Sequence, residues 1–199
     1  MDTKTKKSGP PSNNKEFDKA YSSIAHWAWS DIRIPRELKQ FIKENEPENS
    51  LELGCGLGKF SIFMAENGVK ATGVDFSSVA IEKAKNNAEG KKGKVDFMVG
   101  DVTNLAHITE QFDVAFDVGC FHCLNEKGQA KYVEEVYRLL KPGGKLLLWA
   151  LDNSPGDIKL NSDQISKIFG SRFELTQSKF SGRRVIFVSS HWYWLNAKK

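Results

Sequence analysis

The chain has 199 residues, 40% of them hydrophobic, which suits one domain with a substantial core. Its net charge of +4 sits in the tails, at Lys4, Lys6, Lys7, Lys15, Lys198 and Lys199, so the body lacks the basic face that nucleic acid requires. No apolar run approaches the roughly 18 residues of a membrane span, and the opening run MDTKTKKSGPPSNN contains no hydrophobic signal segment, which points to a cytoplasmic protein away from membranes.

Residues 1–14 read as a disordered basic tail, poor in apolar side chains and rich in Lys, Ser, Asn and Pro. Residues 15–47 read as a helical cap segment. Phe17, Tyr21 and Ile24 fall at helical spacing, His26-Trp27-Ala28-Trp29 follows, and Arg36–Lys43 is amphipathic with Leu38, Phe41 and Ile42 on one side. Pro47 closes the segment by removing a donor and restricting the residue before it. Residues 48–199 read as one domain.

That domain begins with the apolar run Leu51-Glu52-Leu53, which breaks into Gly54-Cys55-Gly56-Leu57-Gly58 and then the helical pattern of Phe60, Phe63 and Met64: strand, tight turn, helix. Further on come a strand at Lys70–Val74, a helix at Ser77–Ala88 capped by Ser77 or Ser78, and strands at Val95–Val99 and Phe112–Val118. A helix at Gln129–Leu140 stops at Pro142-Gly143-Gly144, and Lys145–Leu151 is apolar enough to be covered on both faces. After a short connection, Asp152–Asn161, a helix at Ser162–Phe169 leads to two alternating stretches, Phe173–Phe180 and Arg183–Ser190, across a link that requires antiparallel pairing. The aromatic run His191-Trp192-Tyr193-Trp194-Leu195 follows as packing or as a pocket wall. The order predicts an open α/β sheet, seven-stranded and mostly parallel, with its last strand antiparallel and helices on both faces.

Three ligand chemistries compete at the glycine turn. A P-loop needs Gly-Lys-Ser/Thr, but Gly58-Lys59 is followed by Phe60; a dinucleotide fingerprint needs a third glycine where Lys59 stands. The spacing found is G-x-G-x-G. Asp75, at the end of the next strand, can accept both hydroxyls of an adenosine ribose.

The set Glu52-x-Gly54-x-Gly56-x-Gly58 with Asp75 resembles the S-adenosyl-L-methionine (AdoMet) signature of class I methyltransferases, which have a Rossmann-like fold. Gly100-Asp101-Val102, Phe112-Asp113-Val114 and Leu140-Lys141-Pro142-Gly143-Gly144 continue the resemblance in order. It implies that the Gly54, Cys55, Gly56 and Gly58 backbone lies along the methionine and ribose, and that Asp75 holds the ribose. It further implies that Phe76 stacks on adenine, that Asp101 and the Val102 amide meet the adenine edge, and that Glu52 sits near the cationic centre. S-adenosyl-L-homocysteine would be the product.

Past the fourth strand stands Asp117-Val118-Gly119-Cys120-Phe121-His122-Cys123, where open α/β sheets bind their ligands. With Trp27-x-Trp29 upstream, this looks like small-molecule methyltransferases of the thiopurine and tellurite-resistance kind, in which an N-terminal aromatic segment covers the cofactor. The resemblance implies cofactor contacts from Trp29, Asp117 and Val118, with Asp117 holding the AdoMet amino group. His122 is the candidate general base, or else shapes the pocket. Cys120-x-His122-Cys123 lacks the second half of a structural zinc site, so no metal is expected; a thiol role toward a soft acceptor such as a metalloid stays open. The sequence thus points to methyl transfer to O, N or S of a small-molecule acceptor by a monomer or weak homodimer. The alternatives are an AdoMet-binding sensor or partner subunit without turnover, and a methyltransferase acting on a macromolecule.

Overall fold

The computed structural model describes residues 14–22, 33–154, 158–181 and 189–199. The expected tail, up to residue 13, and Trp27 and Trp29 of the expected cap lie outside them. Two helices, α1 (Asn14–Ser22) and α2 (Arg36–Asn45), precede β1 (Asn49–Leu53), α3 (Lys59–Glu66), β2 (Lys70–Asp75), α4 (Ser78–Ala88), β3 (Val95–Val99) and β4 (Phe112–Val118). After a 3-10 turn at Phe121–Cys123 come α5 (Glu126–Leu139), β5 (Leu140–Leu151), the short β6 (Asn153–Ser154) and β7 (Ile158–Lys159), α6 (Ser162–Phe169), β8 (Phe173–Phe180) and β9 (Ser190–Ala197).

Seven strands form one sheet in the order β3-β2-β1-β4-β5-β9-β8, with β9 alone reversed against its neighbours. Leu53 stands opposite both Val74 and Asp117, Asp75 opposite Val99, and Val118 opposite Trp149. The carboxyl ends of the five parallel strands therefore share one edge, and the loops leaving them meet there.

The strands are apolar on both faces because helices cover both. On one side Leu53, Val74, Leu146 and Leu148 pack with Tyr132 and Val136 of α5 and with Phe169 of α6. On the other, Ala71, Phe116, Leu147 and Trp149 pack with Leu38 and Phe41 of α2 and Met64 of α3. Asp113, in the matched Phe112-Asp113-Val114 run, works at the opposite end of the sheet. It accepts the amides of Glu48 and Asn49 and pairs with Lys141 at 2.6 Å, tying β1, β4 and β5 together.

The last strand differs from the expectation. The stretch expected as a strand at Arg183–Ser190 lies outside the described residues as far as 188, and the aromatic run expected to follow it is itself β9. A strand flanked on both sides needs two apolar faces. This run supplies them: Trp192 faces α2 and α3, while Tyr193 and Leu195 face α5 and α6. The Asp152–Asn161 connection also contains the small β6–β7 pair.

Candidate active site

The chain leaves β1 through three glycines with positive φ, 72° at Gly54, 51° at Gly56 and 76° at Gly58, a backbone that a side chain resists. Val74 O accepts the amides of Gly54 and Cys55, Cys55 O accepts Gly58, and Asp75 Oδ2 accepts Gly56 at 2.9 Å. The turn is held from within. The space left by each missing side chain is filled by another element: a Cβ on Gly54 would lie 2.4 Å from Cys120 Cβ, one on Gly56 2.9 Å from the Tyr21 hydroxyl, and one on Gly58 2.4 Å from the Phe97 ring. The glycines thus serve close packing of the loop after β4, of α1 and of β3, as well as the turn itself.

Three buried carboxyl groups surround this turn. Glu52 Oε2 accepts the Ser61 amide at 2.8 Å and the Ser61 hydroxyl, and burial pushes its pKa up to about 8 despite those bonds. Asp75 accepts Gly56 on one oxygen and the Ser77 amide on the other, and burial raises it as well. Asp117 is raised to about 6 by burial, against four stabilising donors. Glu52 is also raised by the charges of Asp75 and Asp117, and none of the three has an ion-pair partner among the described residues. Burial thus holds a proton on Glu52 near pH 7, and a cation placed beside the cluster would favour its charged form.

These carboxylates differ in what they have left to offer. A carboxylate has about four acceptor positions. Asp117 fills its own with the amides of Gly119, Cys120 and Phe121 and the Tyr132 hydroxyl, all within 3.0 Å. It holds the loop after β4 in place, in addition to the contact with an amino group that the resemblance implies. Asp75, which accepts the amides of Gly56, Ser77 and Phe76, keeps about one acceptor position for a ligand's hydroxyl.

Phe76 is half-buried just past Asp75, where the resemblance asks for a stacking ring. Asp101 is exposed after β3; its Oδ1 accepts both the amide and the hydroxyl of Thr103 at 2.8 Å, so one oxygen builds the turn. Val102 is buried in the core beside it, Cys55 is buried in the glycine turn, and Val118 ends β4 opposite Trp149. Trp29 lies outside the described residues.

Sequence reasoning missed the part played by α1. Ser77 caps α4 by accepting the Ala80 amide and donates its hydroxyl to Asp18 at 2.5 Å, and Lys83 donates to the Tyr21 carbonyl at 2.6 Å. So docked, α1 sets the buried Tyr21 ring over Gly56, and burial with the nearby Asp75 charge raises the phenol's pKa. The helical spacing of Tyr21 was visible; its target was not, because nothing local links position 21 to position 56.

Toward β5, Gly119 (φ 109°) brings the loop against Trp149, and the His122 ring stands edge-on to the Trp149 indole at 5.9 Å. Burial lowers the His122 pKa to about 4, so the imidazole is neutral near pH 7 and a weak base. Trp149 is itself fixed by donating to Ser181 at 3.0 Å.

Residues 51–144 match the family model described as a methyltransferase domain. The chain is 30% identical over 126 residues to the phosphoethanolamine N-methyltransferase of Triticum aestivum, covering 63% of this chain and 25% of that protein. It is 30% identical over 105 residues to the ubiquinone biosynthesis O-methyltransferase of Coxiella burnetii, covering 52% and 44%. The chain thus spans only about a quarter to under a half of these curated relatives. Among solved structures, the 1,6-didemethyltoxoflavin-N1-methyltransferase of Burkholderia thailandensis, with bound 1,6-didemethyltoxoflavin and S-adenosylhomocysteine, superposes with a TM-score of 0.76 over 96% of this chain and 93% of that one. At 18% identity the likeness speaks to the fold.

Proposed function

We propose that this chain, whose residues 51–144 match a methyltransferase domain, is a class I, AdoMet-dependent methyltransferase that transfers the methyl group of AdoMet to a small-molecule acceptor. The observation that carries the reading is the cluster of Glu52, Asp75 and Asp117, three buried carboxyl groups around the glycine turn with no ion-pair partner among the described residues. Such a cluster suits a ligand that brings its own positive charge.

AdoMet supplies, when bound, a methyl group on a cationic sulfur. Asp75 would accept a ribose hydroxyl, Phe76 would flank the adenine, the free oxygen of Asp101 would meet the adenine amino group, and Glu52 would face the cationic part. Tyr21 and α1 would close the cleft. Since methyl transfer is an in-line displacement, holding the two reactants aligned supplies much of the rate.

Neither His122, with its lowered pKa, nor Asp117, with its filled acceptors, is a strong base here. The acceptor this site favours is nucleophilic near pH 7 without losing a proton to the protein, as a heteroaromatic or weakly basic amine, a thiolate or an ionised phenol is, rather than an alcohol or an alkylammonium. The printed names of the relatives, which include N- and O-methyltransferases, support a small acceptor and leave the methylated atom open. Calorimetry with AdoMet and S-adenosylhomocysteine tests the cofactor: binding to the wild type that weakens in Asp75→Asn is expected, and no binding, or equal binding by the variant, would defeat the reading. A screen of small amines, thiols and phenols with labelled AdoMet tests the acceptor class. The weak bases also suit a second reading, an AdoMet sensor, which tight binding with no transfer across that screen would favour.

A further inference from the structure

The loop after β4 carries two thiols that the methyl-transfer reading does not use. Cys120 and Cys123 bracket the 3-10 turn, and the Cys123 amide donates to Cys120 O at 2.9 Å, closing an i, i+3 turn. In a 3-10 turn side chains three residues apart eclipse, and a hydrogen-bonded turn keeps the two Cα atoms within about 7 Å, so the two cysteine side chains start from the same face of the turn. The turn cannot easily rearrange. Asp117 accepts the amides of Gly119, Cys120 and Phe121, and the fully buried Phe121 ring between the two cysteines is wedged 5.0 Å from Tyr132 and 5.1 Å from Phe169.

The pair adjoins the cofactor turn. Cys120 Sγ lies 3.0 Å from where a Cβ on Gly54 would stand, and Cys123 Sγ points back to Gly119 O at 3.7 Å. Cys120 and Cys123 are half-buried residues, whereas Cys55, the third cysteine, is buried. From this geometry we infer that Cys120 and Cys123 form a dithiol site for a trivalent arsenical or a closely related thiophilic oxo compound.

The chemistry separates this ligand from a metal cation. Among the described residues no three His, Cys, Asp or Glu side chains are gathered to hold a metal ion, and zinc sites take four donors with their cysteines deprotonated. Burial pushes the Cys123 pKa up to about 12 and raises Cys120 as well, so both remain protonated thiols. An arsenoxide needs no thiolate at equilibrium. In R–As=O + 2 R′SH → R–As(SR′)2 + H2O, two S–H bonds break and two As–S bonds form. The oxo oxygen leaves as water with both protons, and arsenic stays trivalent. The inference rests on the thiol geometry and not on the methyl-transfer reading.

Phenylarsine oxide is the probe, with intact-mass spectrometry of the full chain as the readout. The expected result is one phenylarsenic adduct per chain that withstands 2-mercaptoethanol and is released by 2,3-dimercaptopropanol. The adduct should persist in Cys55→Ser and be lost in Cys120→Ser and in Cys123→Ser. Peptide mapping of the wild-type adduct needs no variant and should place arsenic across Cys120 and Cys123. No adduct, arsenic mapped to Cys55, or an adduct that survives either loop substitution would overturn the inference. AdoMet calorimetry on untreated protein is scored separately, so failure there counts against methyl transfer and leaves the dithiol site standing.

Discussion

The Tyr21 hydroxyl rests where a side chain on Gly56 would begin, 2.9 Å from that notional Cβ, so α1 and the glycine turn meet only because position 56 is bare. Gly56→Ala adds this clash to the cost of holding a non-glycine residue at φ 51°, about 1–2 kcal/mol by itself. AdoMet affinity by calorimetry should fall at least about tenfold. Tyr21→Ala in the same chain should recover part of the loss, because it removes the clash and leaves the backbone strain. A double variant no better than Gly56→Ala alone would mean that Tyr21 does not press on the turn.

What was legible in the sequence was local. Alternation and apolar runs revealed β3, β4 and β8, the N-cap preference of serine marked the start of α4 at Ser77 or Ser78, of which Ser77 is the cap, and glycine spacing beside Asp75 indicated the ligand turn. What fills the gaps at Gly54, Gly56 and Gly58 was not legible, since Cys120, Tyr21 and Phe97 arrive from distant elements. The role of the Asp117 carboxylate was hidden for the same reason: it depends on a hydroxyl from Tyr132 on α5. At the C-terminus two neighbouring stretches are both apolar enough for a strand, and the pairing of the aromatic one with β5 and β8 depends on strands distant in sequence.

Glu52 should couple cofactor binding to proton release. Its folded pKa of about 8 lies above the ordinary carboxylate value, so between about pH 4.5 and 8 the folded protein holds a proton that the unfolded chain gives up. Stability from this group is present below that window and is lost as pH rises through it. In urea titrations Glu52→Gln should lessen the fall in stability between about pH 5 and 9 by a few kcal/mol. A cation placed beside Glu52 favours its charged form, so AdoMet should bind with net proton release near pH 7, and neutral-sulfur S-adenosylhomocysteine with less. Calorimetry in buffers of different ionisation enthalpy reads this difference directly; equal proton counts for the two ligands would place the sulfonium away from Glu52.

His122 should behave as a wall of the pocket. Its pKa is lowered to about 4 by burial, so between about pH 4 and 6.5 the unfolded chain binds a proton that the folded protein excludes. Stability therefore falls as pH drops through that window, opposite in sign to Glu52, and His122→Gln should flatten this part of the profile. With an amine or thiol acceptor found by the screen, His122→Gln should change KM more than kcat. A kcat loss of about a hundredfold or more, with disappearance of an inflection from the pH–rate profile, would instead assign it the general-base role.

Ser77 joins two functions that substitutions can separate. Its hydroxyl oxygen accepts the Ala80 amide at 3.1 Å as the cap of α4, and its proton goes to Asp18 on α1 at 2.5 Å. Ser77→Ala removes both, and loss of the cap alone costs about 1 kcal/mol. Asp18→Ala removes only the docking contact, which lies between a helix end and a short N-terminal helix, so global stability in urea should change little. Hydrogen exchange of residues 14–22 should nevertheless quicken in both variants, since α1 is held to α4 through this contact and the Lys83 bond to the Tyr21 carbonyl. If α1 closes over bound AdoMet, both variants should also release the cofactor faster, in proportion to that exchange. Faster exchange of α1 with unaltered cofactor release would separate the helix from the cleft, and Tyr21 would then serve packing alone.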